Sequence, residues 1–310
     1  MDLNLKTTVE IPVILIDRLE GYFFDLESCP WVLLQETAAD PFFLIGYFED
    51  AIALKEGIEA VKANFPEIDK PFHTEALEAV VWQNAYKAYV KPWNDRQLHW
   101  IPLWSKDTYT VPAGAACVYL DAGMAFGTGC HETTQLCASR LVDFFETQRP
   151  KLKADKATLH IVDAGCGSGI LALSARALGF NNIRGFDNDP DAIYVCNENL
   201  LENPHLETLP FSVDDLVSGL PENSVDFLMA NIQTNILIPF SEAIIKSLRP
   251  NAHLILSGIL TKEIDLLRAH FEIELKRILP KASVNVDSRD KGEWSDLKVE
   301  IIACESSINA

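Results

Sequence analysis

The chain has 310 residues, of which 48% are hydrophobic, and a formal net charge of −19 at pH 7. This length allows one large domain and one small domain, each with its own core. No apolar run reaches the roughly 18 residues of a membrane span, and no basic segment precedes an apolar stretch at the N-terminus. We therefore expect neither a membrane association nor a secretory leader.

Seven cysteines without regular spacing are typical of reduced thiols in a cytoplasmic protein. The strongly negative charge disfavours nucleic acid as a direct partner, because a phosphate backbone would be repelled. It either attracts a basic protein partner or only keeps the chain soluble, and the charge alone does not choose between these.

The first 70 residues predict a small α+β domain. Helical apolar spacing and a proline stop predict its second helix, whereas its strands are apolar runs bounded by turn residues. A two-layer sandwich with a βαββαβ-like order fits this pattern. The expected elements are strands at Val9–Ile16, Trp31–Gln35 and Phe42–Phe48 and helices at Asp17–Leu26 and Ala51–Asn64.

Residues 71–112 have a different composition and predict a linker that contains a helix, Glu75–Tyr89. Four of the six tryptophans lie here, at Trp82, Trp93, Trp100 and Trp104. Aromatic side chains of this kind either form a docking surface or pack on the following domain, and we favour packing.

A glycine-rich loop within Leu120–Thr134 leads into a helix. Phe126 is placed to lie against an adenine or a methionine chain, and Thr134 to bond a carboxylate or hydroxyl of a cofactor. His131 and Glu132 do not form a zinc-protease motif, because the residue four after His131 is Gln135. We therefore predict no metal site.

The main motif is Ile161–Gly169, where a buried strand is followed by glycines at 165, 167 and 169 and then by a helix. Glycines let a ligand approach the backbone, and the helix start offers free N–H groups. Asp187 ends the next strand 22 residues after Gly165, close to the spacing of a ribose-binding acid. A dinucleotide motif would need glycine where Ile170 stands, so a nicotinamide dehydrogenase is the less favoured alternative. An acid followed by G-x-G-x-G is typical of S-adenosylmethionine enzymes.

Strands and helices then alternate to the end of the chain, which predicts a doubly wound, seven-stranded sheet with ligands at the carboxyl ends of its strands. Asp189 and Pro190 begin a helix, and Asn231 stands at the tip of the fourth strand. Further expected elements are strands at Leu209–Val213, Val225–Ala230 and Leu254–Ser257, helices at Asn235–Ser247 and Lys262–His270, and a final antiparallel pair, Ile273–Leu279 and Asp296–Ile302.

Five segments closely resemble the ribosomal protein L-eleven methyltransferase family, known as PrmA: Leu120–Thr134, Ile161–Ala172, Gly185–Ala192, Ala230–Ile232 and Leu256–Leu260. They cover residues 119–302 in the order of the family. The segment around Trp82 is similar to the family's linker, with Tyr86 where a second tryptophan is expected. The first 70 residues match only in layout.

The resemblance implies a Rossmann-like, S-adenosylmethionine-dependent methyltransferase domain at 113–310, a linker at 71–112 and a substrate-recognition domain at 1–70. It implies methylation of lysine side-chain and N-terminal amines of a large-subunit ribosomal protein. It also implies cofactor contacts at Thr134, Gly165, Asp187 and Asn231. From the geometry of the loop and the glycine turn we add four further cofactor-binding residues: Phe126, Thr128, Asp163 and Gly167.

For the mechanism we hypothesise in-line attack of a neutral amine on the sulfonium methyl group. Asn231 is the expected catalytic residue, because a carbonyl at the strand tip can accept a hydrogen bond from the amine. Three alternatives remain open: a lysine methyltransferase acting on another basic protein, a non-catalytic S-adenosylmethionine-binding protein, and a nucleobase amino-methyltransferase. The last is disfavoured because Ile232 and Gln233, rather than two prolines, follow Asn231.

Overall fold

The computed structural model describes residues 4–24, 29–35, 41–77, 90–121, 131–152 and 159–302. The chain divides into two compact units, residues 1–89 and residues 90–310. Within the described residues, no helix combines the length and the apolar character needed to cross a bilayer.

The smaller unit contains a four-stranded antiparallel sheet with two helices. Its buried core includes Leu19, Leu44 and Val61, and Asp50 caps the second helix by accepting the N–H groups of Ile52 and Ala53. The elements are β1 (Asn4–Ile11), α1 (Ile16–Phe24), β2 (Trp31–Leu34), β3 (Phe42–Phe48), α2 (Ala51–Asn64) and β4 (His73–Leu77). Along the chain they confirm the predicted βαββαβ order, and in the sheet the strands lie in the order β2-β3-β1-β4.

Two predictions for this unit are corrected. The first strand ends at Ile11 rather than Ile16 because Pro12 lacks a backbone N–H, and a 3₁₀ turn, Val13–Leu15, follows. Glu75 begins the predicted helix but lies in β4, where it pairs with Lys6 of β1; residues 78–89 lie outside the described residues. The predicted linker therefore contributes a strand to the smaller unit, and the predicted domain boundaries stay a prediction.

The larger unit contains ten strands and six helices among its described residues. The strands are β5 (Trp93–Asp95), β6 (Leu98–Pro102), β7 (Ala116–Leu120), β8 (His160–Ala164), β9 (Asn182–Asp187), β10 (Phe211–Val213), β11 (Val225–Asn231), β12 (Leu248–Leu260), β13 (Ser283–Lys291) and β14 (Trp294–Ile302). The helices are α3 (Glu132–Leu152), α4 (Ile170–Ala177), α5 (Pro190–Leu201), α6 (Thr234–Leu237), α7 (Ser241–Ser247) and α8 (Ile264–Ile278).

The strands of the larger unit form a seven-stranded sheet in the order β10-β9-β8-β11-β12-β14-β13 and a three-stranded sheet, β5-β6-β7. In the seven-stranded sheet, neighbours from β10 to β12 are parallel, and β14 is antiparallel to both of its neighbours, β12 and β13.

The predicted doubly wound, seven-stranded sheet is confirmed, but two of its elements differ from the prediction. The predicted helix Asn235–Ser247 is two short helices, because Pro239 interrupts it. The segment Ile273–Leu279 is not a strand: Ile273–Ile278 are the last six residues of α8, and Leu279 caps it. The helix is favoured because Leu267, Phe271 and Leu275 are buried at helical spacing, whereas Ile273 is exposed.

Both faces of the large sheet are covered, and this fixes where a ligand can bind. Along β8, Ile161 packs in one hydrophobic cluster and Val162 in the other, on the opposite face. Because helices cover both faces, the open space is at the carboxyl ends of the parallel strands. Asp163, Asp187 and Asn231 all lie at or next to these strand ends.

Candidate active site

The glycine turn between β8 and α4 has a backbone that only glycine adopts easily. Gly165, Gly167 and Gly169 have φ angles of +66°, +52° and +78°. A Cβ at Gly165 would lie 2.8 Å from Cδ1 of Ile232. The turn therefore needs glycine both for its conformation and for the close approach of the chain beyond β11.

Asp187, at the end of β9, binds the glycine turn directly. Its Oδ2 accepts the N–H of Gly167 at 2.9 Å, and its Oδ1 accepts the N–H of Asp189 at 3.1 Å. Each carboxylate oxygen has further lone pairs, so both can still accept a ribose hydroxyl. Asp189 caps α5 by accepting the N–H of Asp191, and Pro190 is the first helical residue, as predicted.

Asp163 is a buried carboxyl with one oxygen that has no partner. It is 1% exposed, and its Oδ2 accepts the N–H of Ala172 at 3.0 Å. Its Oδ1 is buried without a hydrogen bond. Burial raises the pKa of Asp163 to about 7; the N–H of Ala172 opposes this rise, and the charge of Asp187 adds to it. Near neutral pH this carboxyl is therefore only partly ionised.

Asn231 and Thr134 meet across the site from different elements. The Asn231 amide nitrogen donates to Oγ1 of Thr134 at 3.4 Å, a long hydrogen bond, and Thr134 is fully buried in the first turn of α3. With its nitrogen turned toward Thr134, the Asn231 amide leaves Oδ1 buried and without a partner. This oxygen is a hydrogen-bond acceptor available to a bound group.

Ser257 and Gly258 hold the strand tip in place, and the sequence analysis did not identify either as a site residue. Ser257 donates its hydroxyl to the carbonyl of Thr133 at 2.8 Å, and its own carbonyl accepts the N–H of Ile232 at 3.0 Å. Gly258 has a φ of +83°, and a Cβ there would lie 2.9 Å from the carbonyl oxygen of Ile232. Gly258 lies in Leu256–Leu260, one of the five segments that resemble the family, and this was a sequence signal for its importance. That segment alone does not reveal the contact with Ile232.

The structure brings six of the eight predicted cofactor-binding residues to one edge of the sheet: Thr134, Asp163, Gly165, Gly167, Asp187 and Asn231. Phe126 and Thr128 lie outside the described residues. The described residues fit S-adenosylmethionine, because this edge of the sheet holds two carbonyl or carboxyl oxygens without hydrogen-bond partners among the described residues, Oδ1 of Asp163 and of Asn231. The hydroxyl and ammonium groups of that cofactor are donors of the kind that such oxygens need. The positive-φ glycine turn lets such a ligand approach the backbone.

Comparisons with known proteins identify the family of the chain. Residues 26–297 match the family described as ribosomal protein L11 methyltransferase (PrmA). The ribosomal protein L11 methyltransferase of Hydrogenovibrio crunogenus is 33% identical over 256 residues, which are 82% of this chain and 79% of that protein. The one from Geotalea daltonii is 30% identical over 311 residues, covering 94% of this chain and 95% of its own length.

A solved structure of a ribosomal protein L11 methylase is also similar to this chain. The ribosomal protein L11 methylase from Lactobacillus delbrueckii subsp. bulgaricus superposes with a TM-score of 0.55 at 25% identity, covering 68% of this chain and 98% of its own. The methyl donor of a methyltransferase of this kind is S-adenosyl-L-methionine, which the free acceptors of the site fit. By its sequence, its fold and the arrangement of this edge of the sheet, the chain belongs to the ribosomal protein L11 methyltransferase family, PrmA.

Proposed function

We propose that the chain transfers methyl groups from S-adenosylmethionine to lysine side-chain and N-terminal amines of a large-subunit ribosomal protein of the L11 type. The relatives named above are called ribosomal protein L11 methyltransferases, which supports an L11-type protein as the methyl acceptor. The observation in the structure that carries the proposal is the buried, partner-free Oδ1 of Asn231, which can accept a hydrogen bond from an amine beside the glycine turn.

The cofactor would be held by groups from four elements. Asp187 accepts the ribose hydroxyls, and the free Oδ1 of Asp163 accepts the ammonium group. Gly165 and Gly167 let the cofactor lie against the backbone, and Thr134 fixes the amide of Asn231. The roles of Phe126 and Thr128 stay predictions. S-adenosylmethionine supplies an activated methyl group, so these residues only need to hold methyl and amine close and aligned.

Removing a proton from the amine is the costly part of the reaction. A free lysine has a pKa near 10.4, so deprotonation at pH 7 costs roughly 4.6 kcal/mol, whereas an α-amine with a pKa near 7.8 costs about 1 kcal/mol. A net charge of −19 attracts the cationic amine but does not help to deprotonate it. The proton therefore leaves to water as the amine loses its solvent, and Asn231 then orients the lone pair.

We expect Asn231→Ala to lower kcat for methyl transfer roughly tenfold, the worth of one buried hydrogen bond, and to weaken cofactor binding. Asn197→Ala is the control, because the hydrogen bond that the Asn197 side chain makes within the described residues is a local one, to the carbonyl of Ile193 in α5. Steady-state kinetics with labelled S-adenosylmethionine measures both variants. Full rate and full cofactor affinity in Asn231→Ala would show that Asn231 does not have this role.

We expect the affinity for S-adenosylhomocysteine to rise roughly five- to tenfold between pH 6 and pH 7.5, because Asp163 ionises over this range and then attracts the ammonium group. Asp163→Asn should bind weakly with no such rise.

The raised pKa of Asp163 also means that the folded protein holds this proton more tightly than the unfolded chain. The free energy of unfolding of the wild type should therefore fall as the pH rises from about 4 to 7, and Asp163→Asn should lack this component. Calorimetric titration and melting curves across the pH range measure the two effects, and identical pH profiles in both proteins would contradict the assignment.

The choice of methyl acceptor is tested with labelled S-adenosylmethionine and an extract of cells that lack this gene. Mass spectrometry of the labelled product identifies the acceptor and its modified amines. Label on the L11-type ribosomal protein supports the proposal, and label on another basic protein overturns the substrate but keeps the chemistry. No label, with cofactor binding intact, supports a non-catalytic protein instead.

The proposal includes a protein acceptor in the cytoplasm and no direct contact with nucleic acid or membrane. It is supported by the net charge of −19, which opposes binding to phosphate backbones and to anionic lipid.

A further inference from the structure

One buried asparagine, Asn199, connects the glycine turn with the end of β7. It lies in the last turn of α5 and is 2% exposed, on the same buried face as Ile193 and Cys196. Its Oδ1 accepts the N–H of Asp121 at 3.1 Å, and its Nδ2 donates to the carbonyl of Ser168 at 2.9 Å. Both ends of one amide are thus in use, and neither bond is a local helix contact.

The two partners of Asn199 are far apart in sequence and lie at the two glycine-rich segments. Ser168 is inside the glycine turn, between Gly167 and Gly169. Asp121 directly follows β7 and precedes residues 122–130, the segment for which the sequence predicted two cofactor contacts. A planar amide fixes the distance and direction between its oxygen and nitrogen, so it sets the two backbones relative to each other.

We propose that Asn199 is a positioning residue of the cofactor site, which fixes the glycine turn against the end of β7 so that the turn keeps the conformation in which it binds the cofactor. Without the amide, the Ser168 carbonyl loses this buried donor, and the planar group that fixes the glycine turn relative to Asp121 is gone. The proposal rests on cofactor binding by the glycine turn and not on which protein accepts the methyl group.

Asn203, four residues later, provides a matched control. It is fully buried, and its side-chain amide makes two hydrogen bonds to the backbone of Tyr119 in β7. Oδ1 accepts the N–H of Tyr119 at 2.8 Å, and Nδ2 donates to the carbonyl of Tyr119 at 2.7 Å. Its nitrogen also reaches the carbonyl of Asn199. Asn203 therefore anchors the same strand as Asn199, but its bonds do not go to the glycine turn.

The test compares Asn199→Ala with Asn203→Ala in the full chain. Calorimetric titration with S-adenosylhomocysteine measures affinity, and melting curves measure stability. Both variants should melt several degrees below the wild type, because each loses buried hydrogen bonds. Only Asn199→Ala should bind the cofactor product roughly tenfold more weakly. Its KM for S-adenosylmethionine should rise by a similar factor, while kcat at saturating cofactor stays within about twofold of the wild type.

A second variant separates the two bonds and decides the matter if Asn199→Ala does not fold. Asn199→Asp keeps the size of the side chain and the acceptor for the N–H of Asp121, but at pH 8 its carboxylate cannot donate to Ser168. We expect it to lose affinity as Asn199→Ala does. Affinities equal to that of Asn203→Ala in both variants would overturn the role of Asn199. Lack of binding by the wild type would instead overturn the cofactor assignment itself.

Discussion

Gly258→Ala should lower kcat/KM for methyl transfer by at least about 100-fold, although the change adds only one methyl group. The φ of +83° is strained for alanine, and the new Cβ would lie 2.9 Å from the carbonyl oxygen and 3.1 Å from the nitrogen of Ile232. These are backbone atoms, so no side-chain rotation relieves the contact. The strand tip must move, and Asn231, the residue before Ile232, moves with it.

Gly114→Ala is the control that isolates this contact from backbone strain. Gly114 has a similar φ of +79°, but a Cβ there has no atom within 4 Å. Both variants should lose about 1–2 kcal/mol of folding free energy from the positive φ, and only Gly258→Ala should lose activity. If both variants methylated at the wild-type rate, the strand tip would not need the position that the structure shows.

The largest expected loss of stability comes from removing Asp296. Arg140 of α3 is 2% exposed and makes two parallel hydrogen bonds of 2.8 and 2.7 Å with the fully buried carboxylate of Asp296 on β14. In Asp296→Ala, the half-exposed Asp287 is the one acidic partner left to the buried guanidinium among the residues that the structure describes. Loss of one member of a buried pair typically costs about 3–5 kcal/mol. For a unit of this size, that lowers the melting temperature on the order of 10 °C.

Replacement of both partners separates an unpaired charge from a lost attraction. In the double variant with Arg140→Met and Asp296→Leu, both buried charges are gone and only the half-exposed Asp287 loses a partner, so most of the lost stability should return. Melting curves of the single and double variants make the comparison. A double variant no more stable than Asp296→Ala would mean that packing around β14, and not the unpaired charge, accounts for the loss.

Local chemistry explains why much of the fold was predictable from the sequence. Asp50 and Asp189 cap helices with their own side chains, and the glycine turn requires positive φ at residues fixed by the motif. Signals of this kind act within a few residues, so they are visible in the sequence. The segment Ile273–Leu279 is predicted as a strand but is helical, because α8 packs Leu267, Phe271 and Leu275 against the sheet at helical spacing.

The residues that the sequence did not reveal act across long stretches of chain. Ser257 bonds Thr133, which is 124 residues away, and Asn199 bonds Asp121, which is 78 residues away. Neither bond leaves a pattern in its own segment, since a buried serine or asparagine has many possible partners. The sequence thus identified six residues that lie together at the carboxyl ends of the strands, but it did not identify Ser257 or Asn199, which bond to this region from distant parts of the chain.

The most direct test of the site is calorimetric titration of S-adenosylhomocysteine into the full chain, into Asp187→Asn and into Asp226→Asn. Asp226 is the control, because it lies at the amino ends of β8 and β11, away from the carboxyl ends that form the site. Its carboxylate binds Arg249 and the N–H of His160 there. We expect one binding site in the wild type, little change in Asp226→Asn, and affinity at least about tenfold weaker in Asp187→Asn, where the charge that holds ribose hydroxyls is gone. Equal affinity in all three proteins, or no binding by the wild type, would show that Asp187 and the glycine turn do not form the cofactor site.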